Sequence, residues 1–361
     1  MAKRAIYLKA LRRESTDRLV WAPNFDYWLG VSSAEGTIPA KFAGMSRNDI
    51  VRAIDAYIWN RTNAVRGILD DSVKESWLDD GGRRIHIFDT PVGSVSEVYI
   101  QSEGAYRTRF LSEHFVKDLE SLKVMRYIAE ATHYEPVYDI TQKALDETGN
   151  DGIVLVSGFC VPFIRFTKMD AGYINGFYMW ADHKKEVDAL VDAYFKSYLE
   201  GCRIAAGSPA DVIAFDDNMD GLTMPPDLFK EYAVPYYQAV REFAEPQGKL
   251  LEGHWCGRTQ SLLPYVPNCG LDIVEAIVTQ PMAEIRLNDA LDILDERVTL
   301  QGGIPSVLLC EEGCSRDDFR KYIDDVIVPL KGGKGFVLGL SDNTPPNADF
   351  YRLEMIADLI R

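Results

Sequence analysis

The chain has 361 residues, 47% of them hydrophobic and 26% charged, with a formal net charge of −16. That is a globular composition long enough for one large core. The acidic balance excludes a nucleic-acid partner, which needs clustered Lys and Arg, and the absence of any run of about 18 apolar residues excludes a membrane span. The six cysteines, Cys160, Cys202, Cys256, Cys269, Cys310 and Cys314, are scattered, which fits a reducing cytoplasm better than a disulfide scaffold. The first residues carry two basic side chains but no sustained apolar core, so no secretory signal is expected.

Residues 1–18 read as a helical entry. Residues 18–23 (Arg-Leu-Val-Trp-Ala-Pro) read as a strand running into Asn24, Phe25, Asp26, Tyr27 and Trp28. That aromatic and ionisable cluster is either the mouth of a barrel or an aromatic core corner. A helix is expected from Ser46, with Ile50, Ile54 and Ile58 at helical spacing and an end near Arg61 and Thr62, followed by a strand at 64–68. Alternating segments at 84–88 and 94–100, joined by Pro91-Val92-Gly93, predict a β-hairpin excursion over about 82–110. His86 within it reads as structural. Two helices are expected at 119–131 and 138–147.

From residue 150 the pattern becomes regular. Apolar strands at 152–158, 211–215, 249–256, 272–277, 298–303 and 335–339 alternate with helical segments. These include a helix to about 206 after Tyr173, Phe177, Tyr178 and Trp180, and others at 226–245, from 258, at 287–294 and at 316–330. Residues 159–170 read as a loop. Together with the segments near 20 and 65 this makes eight strands with short crossovers. The expected fold is therefore a single α/β domain, a (β/α)8 TIM barrel with an N-terminal extension. An open doubly wound sheet lacks its glycine fingerprint here.

In such a barrel the active site lies at the carboxyl ends of the strands. His254 and Cys256 end one strand; residues two apart on a strand share a face, and an imidazole with a thiolate suits Zn2+. Gly253 and Gly257 are expected to leave the backbone beside them open to a ligand. Asp216 and Asp217 end the preceding strand, either as candidate catalytic carboxylates or as loop caps. Glu275 ends the following strand, as a third metal donor or as the ion-pair partner of an Arg across the mouth. Ser341 and Asp342 end the last strand and face the same bowl. Cys310 and Cys314, on a loop without a second ligand pair, read as non-ligands.

Taken together, these residues resemble the uroporphyrinogen decarboxylase superfamily, and within it the zinc-dependent corrinoid methyltransferases. The resemblance runs from the 17–23 entry to the last strand and is strongest over 211–281. His254-x-Cys256 matches the His-x-Cys zinc motif, the Asp216-Asp217 strand end matches the acidic strand end of the family, and Glu275 falls where related zinc methyltransferases place a Glu ligand. Two departures stand out. Those enzymes carry a further Cys after the last strand, where this chain reads Leu340-Ser341-Asp342, and the arginine-rich substrate motif of the decarboxylases is replaced by residues 24–28. Decarboxylation of a polycarboxylate tetrapyrrole is therefore not expected.

The resemblance implies a methyltransferase with zinc on His254, Cys256 and Glu275. It would move a methyl group from a small methylated donor to the cobalt of a corrinoid carried by a separate partner protein. A methoxylated aromatic donor undergoing O-demethylation is favoured, bound by Asn24, Asp26, Tyr27, Trp28, Tyr178, Trp180, Ser341 and Asp342. The alternatives are a methylcobalamin:thiol methyltransferase of coenzyme M type, and a non-catalytic barrel that binds a corrinoid or tetrapyrrole. A homodimer is left open.

Overall fold

The structure, a computed structural model, describes residues 2–101, 108–294, 297–331 and 334–360. The chain divides into two compact units, one of residues 1–63, 138–157 and 208–361, the other of 64–137 and 158–207.

The first unit is built on seven parallel strands in the spatial order of the chain. They are β1 (Ile58–Thr62), β2 (Gly152–Ser157), β3 (Val212–Phe215), β4 (Leu250–His254), β5 (Ile273–Ile277), β6 (Thr299–Ile304) and β7 (Phe336–Leu340). The eighth position is held by a single bridging residue, Trp21, paired parallel with Leu338 of β7. Its segment exchanges backbone bonds with Leu338 on one side, and Trp21 accepts the Tyr57 amide at the entrance to β1 on the other. The fold is thus the expected α/β, TIM-barrel class, with the strand near 20 reduced to one bridge.

Alternate residues of these strands turn inward, as the twofold side-chain period of a strand requires. The buried set Trp59, Ile153, Leu155, Val212, Ala214, Ile273 and Val337 packs with Ile6, Tyr7, Ala10 and Leu11 of the helix Lys3–Leu11. Following the same parity, Arg61, Glu252, His254, Glu275 and Gln301 come next on the inward face, so apolar layers give way to polar ones toward the carboxyl ends. The added polar side chains are confined to the end where the fold places its chemistry.

Several local expectations are corrected. The helix begun at Ser46 has a full capping box with Asp49 but ends at Ala53. Asp55 then adopts a left-handed φ of 53°, and Ile58, at helical spacing from Ile54, starts β1 instead. The second barrel strand is therefore 58–62, not 64–68. Val65–Leu69 pairs antiparallel with Thr132–Pro136 in the second unit. The 82–110 hairpin is half of a larger feature, a four-stranded antiparallel sheet spanning Lys74–Glu113. His86 is held there between Glu75 at 2.8 Å and Glu97 at 3.0 Å and stacks on Trp77. Residues 159–170 are largely helical, with a π turn over Arg165–Asp170. The helix expected from 258 is a turn followed by the 3-10 segment Leu263–Asn268, which contains Pro264 and Pro267.

Candidate active site in the barrel mouth

β4 stops at His254, so Cys256 lies beyond the strand rather than on it. His254 Nδ1 lies 2.5 Å from Glu275 Oε2, and its Nε2 is 4.0 Å from Asp342 Oδ1. Register explains the Glu275 contact, because His254 and Glu275 are directly paired across β4 and β5. A β-bulge follows at once: the register slips between Glu275 and Ile277, and Ala276 takes a φ of 65°. Bulges of this kind re-aim side chains beside functional sites. Burial alone would lower the basicity of His254, but the Glu275 charge and bonds to Cys256 and Glu275 outweigh it and push the pKa to about 11.

Sequence reasoning missed two members of this site. Glu252, fully buried on β4, has its pKa raised to about 8 by desolvation, which prevails over the opposing charge of Arg61. Arg61, read as the last residue of a helix, is instead on β1. Its Nη1 pairs with Asp216, and its Nη2 lies 3.3 Å from Glu252 Oε1 and 3.7 Å from Glu275 Oε2. Those three carboxyl groups hold its pKa above the usual guanidinium range against partial desolvation, the side chain staying 37% exposed. A charged residue after the apolar pair Leu250-Leu251 was the available signal for Glu252, whereas Arg61 stands between Asn60 and Thr62 and carried no such signal. The ion-pair reading of Glu275 is met by Arg61 across the mouth, and its contact with His254 is a further partner.

The remaining sequence-named residues are distributed differently. Asp217 is fully buried and accepts a hydrogen bond from Tyr237 Oη. Asp216 stays half-exposed on Arg61. Ser341 is buried and donates to the Ile277 carbonyl at 3.2 Å. Asn24 gives its carbonyl to Thr344, from both the backbone amide and the hydroxyl. Asp26 pairs with Arg47 at 2.6 Å. Trp28 is 4% exposed and stacks on Phe350 at 4.2 Å, and Phe25 is fully buried against the same ring. Of the three rings at 25–28, only Tyr27 keeps an exposed face; the others form the core corner. Tyr178 and Trp180 belong to the second unit, the first exposed, the second packed edge-on against Phe163.

Gly253 and Gly257 do not leave room for a ligand. A Cβ on Gly253 would meet the Trp255 indole at 2.6 Å and Leu271 at 2.7 Å, and one on Gly257 would meet Asp220 and the Met219 carbonyl at 2.5 Å. Their missing side chains let the protein pack on itself. Gly253→Ala is accordingly expected to cost about 1–3 kcal/mol of stability by overpacking, measured as a shift in the urea midpoint at unchanged slope.

Among the described residues, no three His, Cys, Asp or Glu side chains are gathered into a ready-made metal cage. Two of the three expected donors are in direct contact, His254 and Glu275, and Cys256 follows two residues after His254. In donor chemistry the set fits zinc: one nitrogen, one sulfur and one carboxylate oxygen.

The uroporphyrinogen decarboxylase (URO-D) family model matches residues 98–361. The chain belongs to the URO-D family. A search of curated proteins finds no match to this URO-D chain. Among solved structures it is similar to a methyltransferase from Methanosarcina mazei, at 13% identity and a TM-score of 0.62, covering 99% of this chain and 98% of that one. At that identity the likeness concerns the fold. A D-psicose 3-epimerase with D-tagatose from Clostridium cellulolyticum H10 also matches, at 11% identity and a TM-score of 0.35, over 61% of this chain and 81% of the other.

Proposed function

We propose that this URO-D family chain is a zinc-dependent methyltransferase that takes a methyl group from a small methylated donor and delivers it to the cobalt of a corrinoid on a separate protein. The observation that carries the reading is His254, at the carboxyl end of β4, with its Nδ1 2.5 Å from Glu275 Oε2 on the neighbouring strand and Cys256 two residues further along the chain. The full-length likeness in fold to a methyltransferase supports the same reading. His254, Cys256 and Glu275 would hold the metal. Zinc bound there supplies Lewis acidity toward the heteroatom that carries the methyl group.

The chain's own residues define what else the site does. Arg61 and Asp216 fix the carboxylate side of the bowl. The Ser341 hydroxyl is committed to the Ile277 carbonyl, so the position occupied by a further Cys in the resembling enzymes falls to Asp342, beside His254 Nε2. A shell with one thiolate instead of two donates less charge to the metal, which favours activating an oxygen leaving group over holding a thiolate nucleophile. A methoxylated aromatic therefore remains the donor class to test first, with Tyr27 as the available ring.

The experiment is zinc analysis of protein purified without chelators, followed by transfer from methoxylated aromatics to cob(I)alamin. About one zinc per chain, as for a single catalytic site, with methylcobalamin formation supports the reading. Methyl transfer only from methylcobalamin to added thiols reverses its direction, and protein without zinc that still binds a corrinoid leaves a binding barrel.

A further inference from the structure

We propose that Arg61 sets how tightly the site holds a divalent cation, because it occupies the carboxylates that such a cation would use. This inference rests on the zinc reading above.

The guanidinium reaches inward from β1 to three other strand positions: Asp216 just past β3, Glu252 on β4 at 3.3 Å and Glu275 on β5 at 3.7 Å. The Glu275 oxygen it approaches is Oε2, the same oxygen that His254 Nδ1 holds at 2.5 Å. One carboxylate oxygen thus stands between the His254 imidazole and the Arg61 guanidinium, and a metal bound there competes with the guanidinium for it. Arginine keeps its charge at every accessible pH. Arg61 is therefore a permanent competitor.

The surrounding groups show how incompletely this one cation satisfies the layer. Glu252 Oε2 and Gln301 Nε2 are buried and have no hydrogen-bond partner. Gln301 Oε1 is taken by Tyr7 Oη at 2.8 Å. Three carboxylates share one guanidinium, and a second carboxylate oxygen is buried without any partner. Such a layer attracts a further cation, while the fixed positive charge a few ångströms away opposes it. Arg61 acts through Glu275 and Glu252 and is a positioning residue. It keeps the carboxylates apart and aimed while the cation is absent, at a cost in affinity when the cation binds.

The test is zinc affinity of the full chain, by competition with a chromophoric chelator, for wild type, Arg61→Met, Arg61→Lys and His254→Ala, with melting curves recorded alongside. Arg61→Met removes the charge and keeps most of the bulk, and is expected to bind zinc about tenfold more tightly or better. Arg61→Lys, which keeps the charge, is expected to return to within about threefold of wild type. His254→Ala is expected to lose zinc. A folded Arg61→Met with unchanged or weaker affinity overturns the inference and leaves the zinc reading intact. Zinc binding that survives His254→Ala, or is absent from all four proteins, overturns both. If Arg61→Met fails to fold, Arg61→Gln carries the same expectation, since it retains hydrogen bonds to the carboxylates without the charge.

Discussion

His254→Ala is expected to strip zinc from the chain and to lower methyl transfer by more than about 100-fold, since losing even an outer-shell partner of a metal ligand costs roughly 10–100-fold. The reason is the position of His254 between the other candidate donors. It is bonded to Glu275, it precedes Cys256 by two residues, and its Nε2 lies 4.0 Å from Asp342. The fold is expected to survive, because Glu275 keeps Arg61 as a counter-charge and β4 keeps its backbone pairing with β3 and β5. Zinc per chain by elemental analysis, transfer to cob(I)alamin and a melting curve together check the prediction. Full zinc content in the folded variant would show that the metal, if present, sits elsewhere.

A second large effect is expected far from this chemistry. Arg352→Met should lower stability by about 3–5 kcal/mol, the cost of breaking a buried charged hydrogen-bond network. Arg352 is fully buried on the terminal helix. It donates to the Leu308 carbonyl at 2.6 Å and to the Cys314 carbonyl at 2.8 Å, and it lies 3.2 Å from the Cys314 sulfur. Methionine fills the space but removes the donor to both carbonyls, leaving that of Leu308 only the weak Cys314 thiol at 3.5 Å. The readout is urea unfolding, with zinc content as the control: stability should drop while metal binding stays. The same contacts explain why the Cys310-x3-Cys314 pair is available for structure, since one sulfur lies against an arginine and the other donates to Asn347.

The barrel strands after residue 150 were legible because each is a short apolar run between helical segments, and parallel strands covered on both faces have that texture. The first third was not. Residues 50–58 satisfy helical spacing up to the residue where Asp55 turns left-handed, and local periodicity carries no information about that turn. The four-stranded sheet was half-seen for a similar reason: Lys74–Asp80 is exposed along its whole length, so it shows no apolar alternation to recognise.

The site divides in the same way. Residue types and spacing placed an imidazole, a thiol and a carboxylate at or just past the ends of two neighbouring strands, and the resemblance those motifs carry named the family that the match over residues 98–361 shows. Only the tertiary structure decided which groups share a partner. It put Arg61 on a strand instead of a helix and buried Glu252 beneath His254. It also committed Ser341 to a backbone carbonyl and used Phe25 and Trp28 for packing against Phe350. The physical reason is that a motif specifies chemistry, which is a property of residue type. Whether a charge is paired, or a ring faces solvent, depends on groups brought together across strands from distant parts of the chain, as Arg61 is with Glu252 and Glu275.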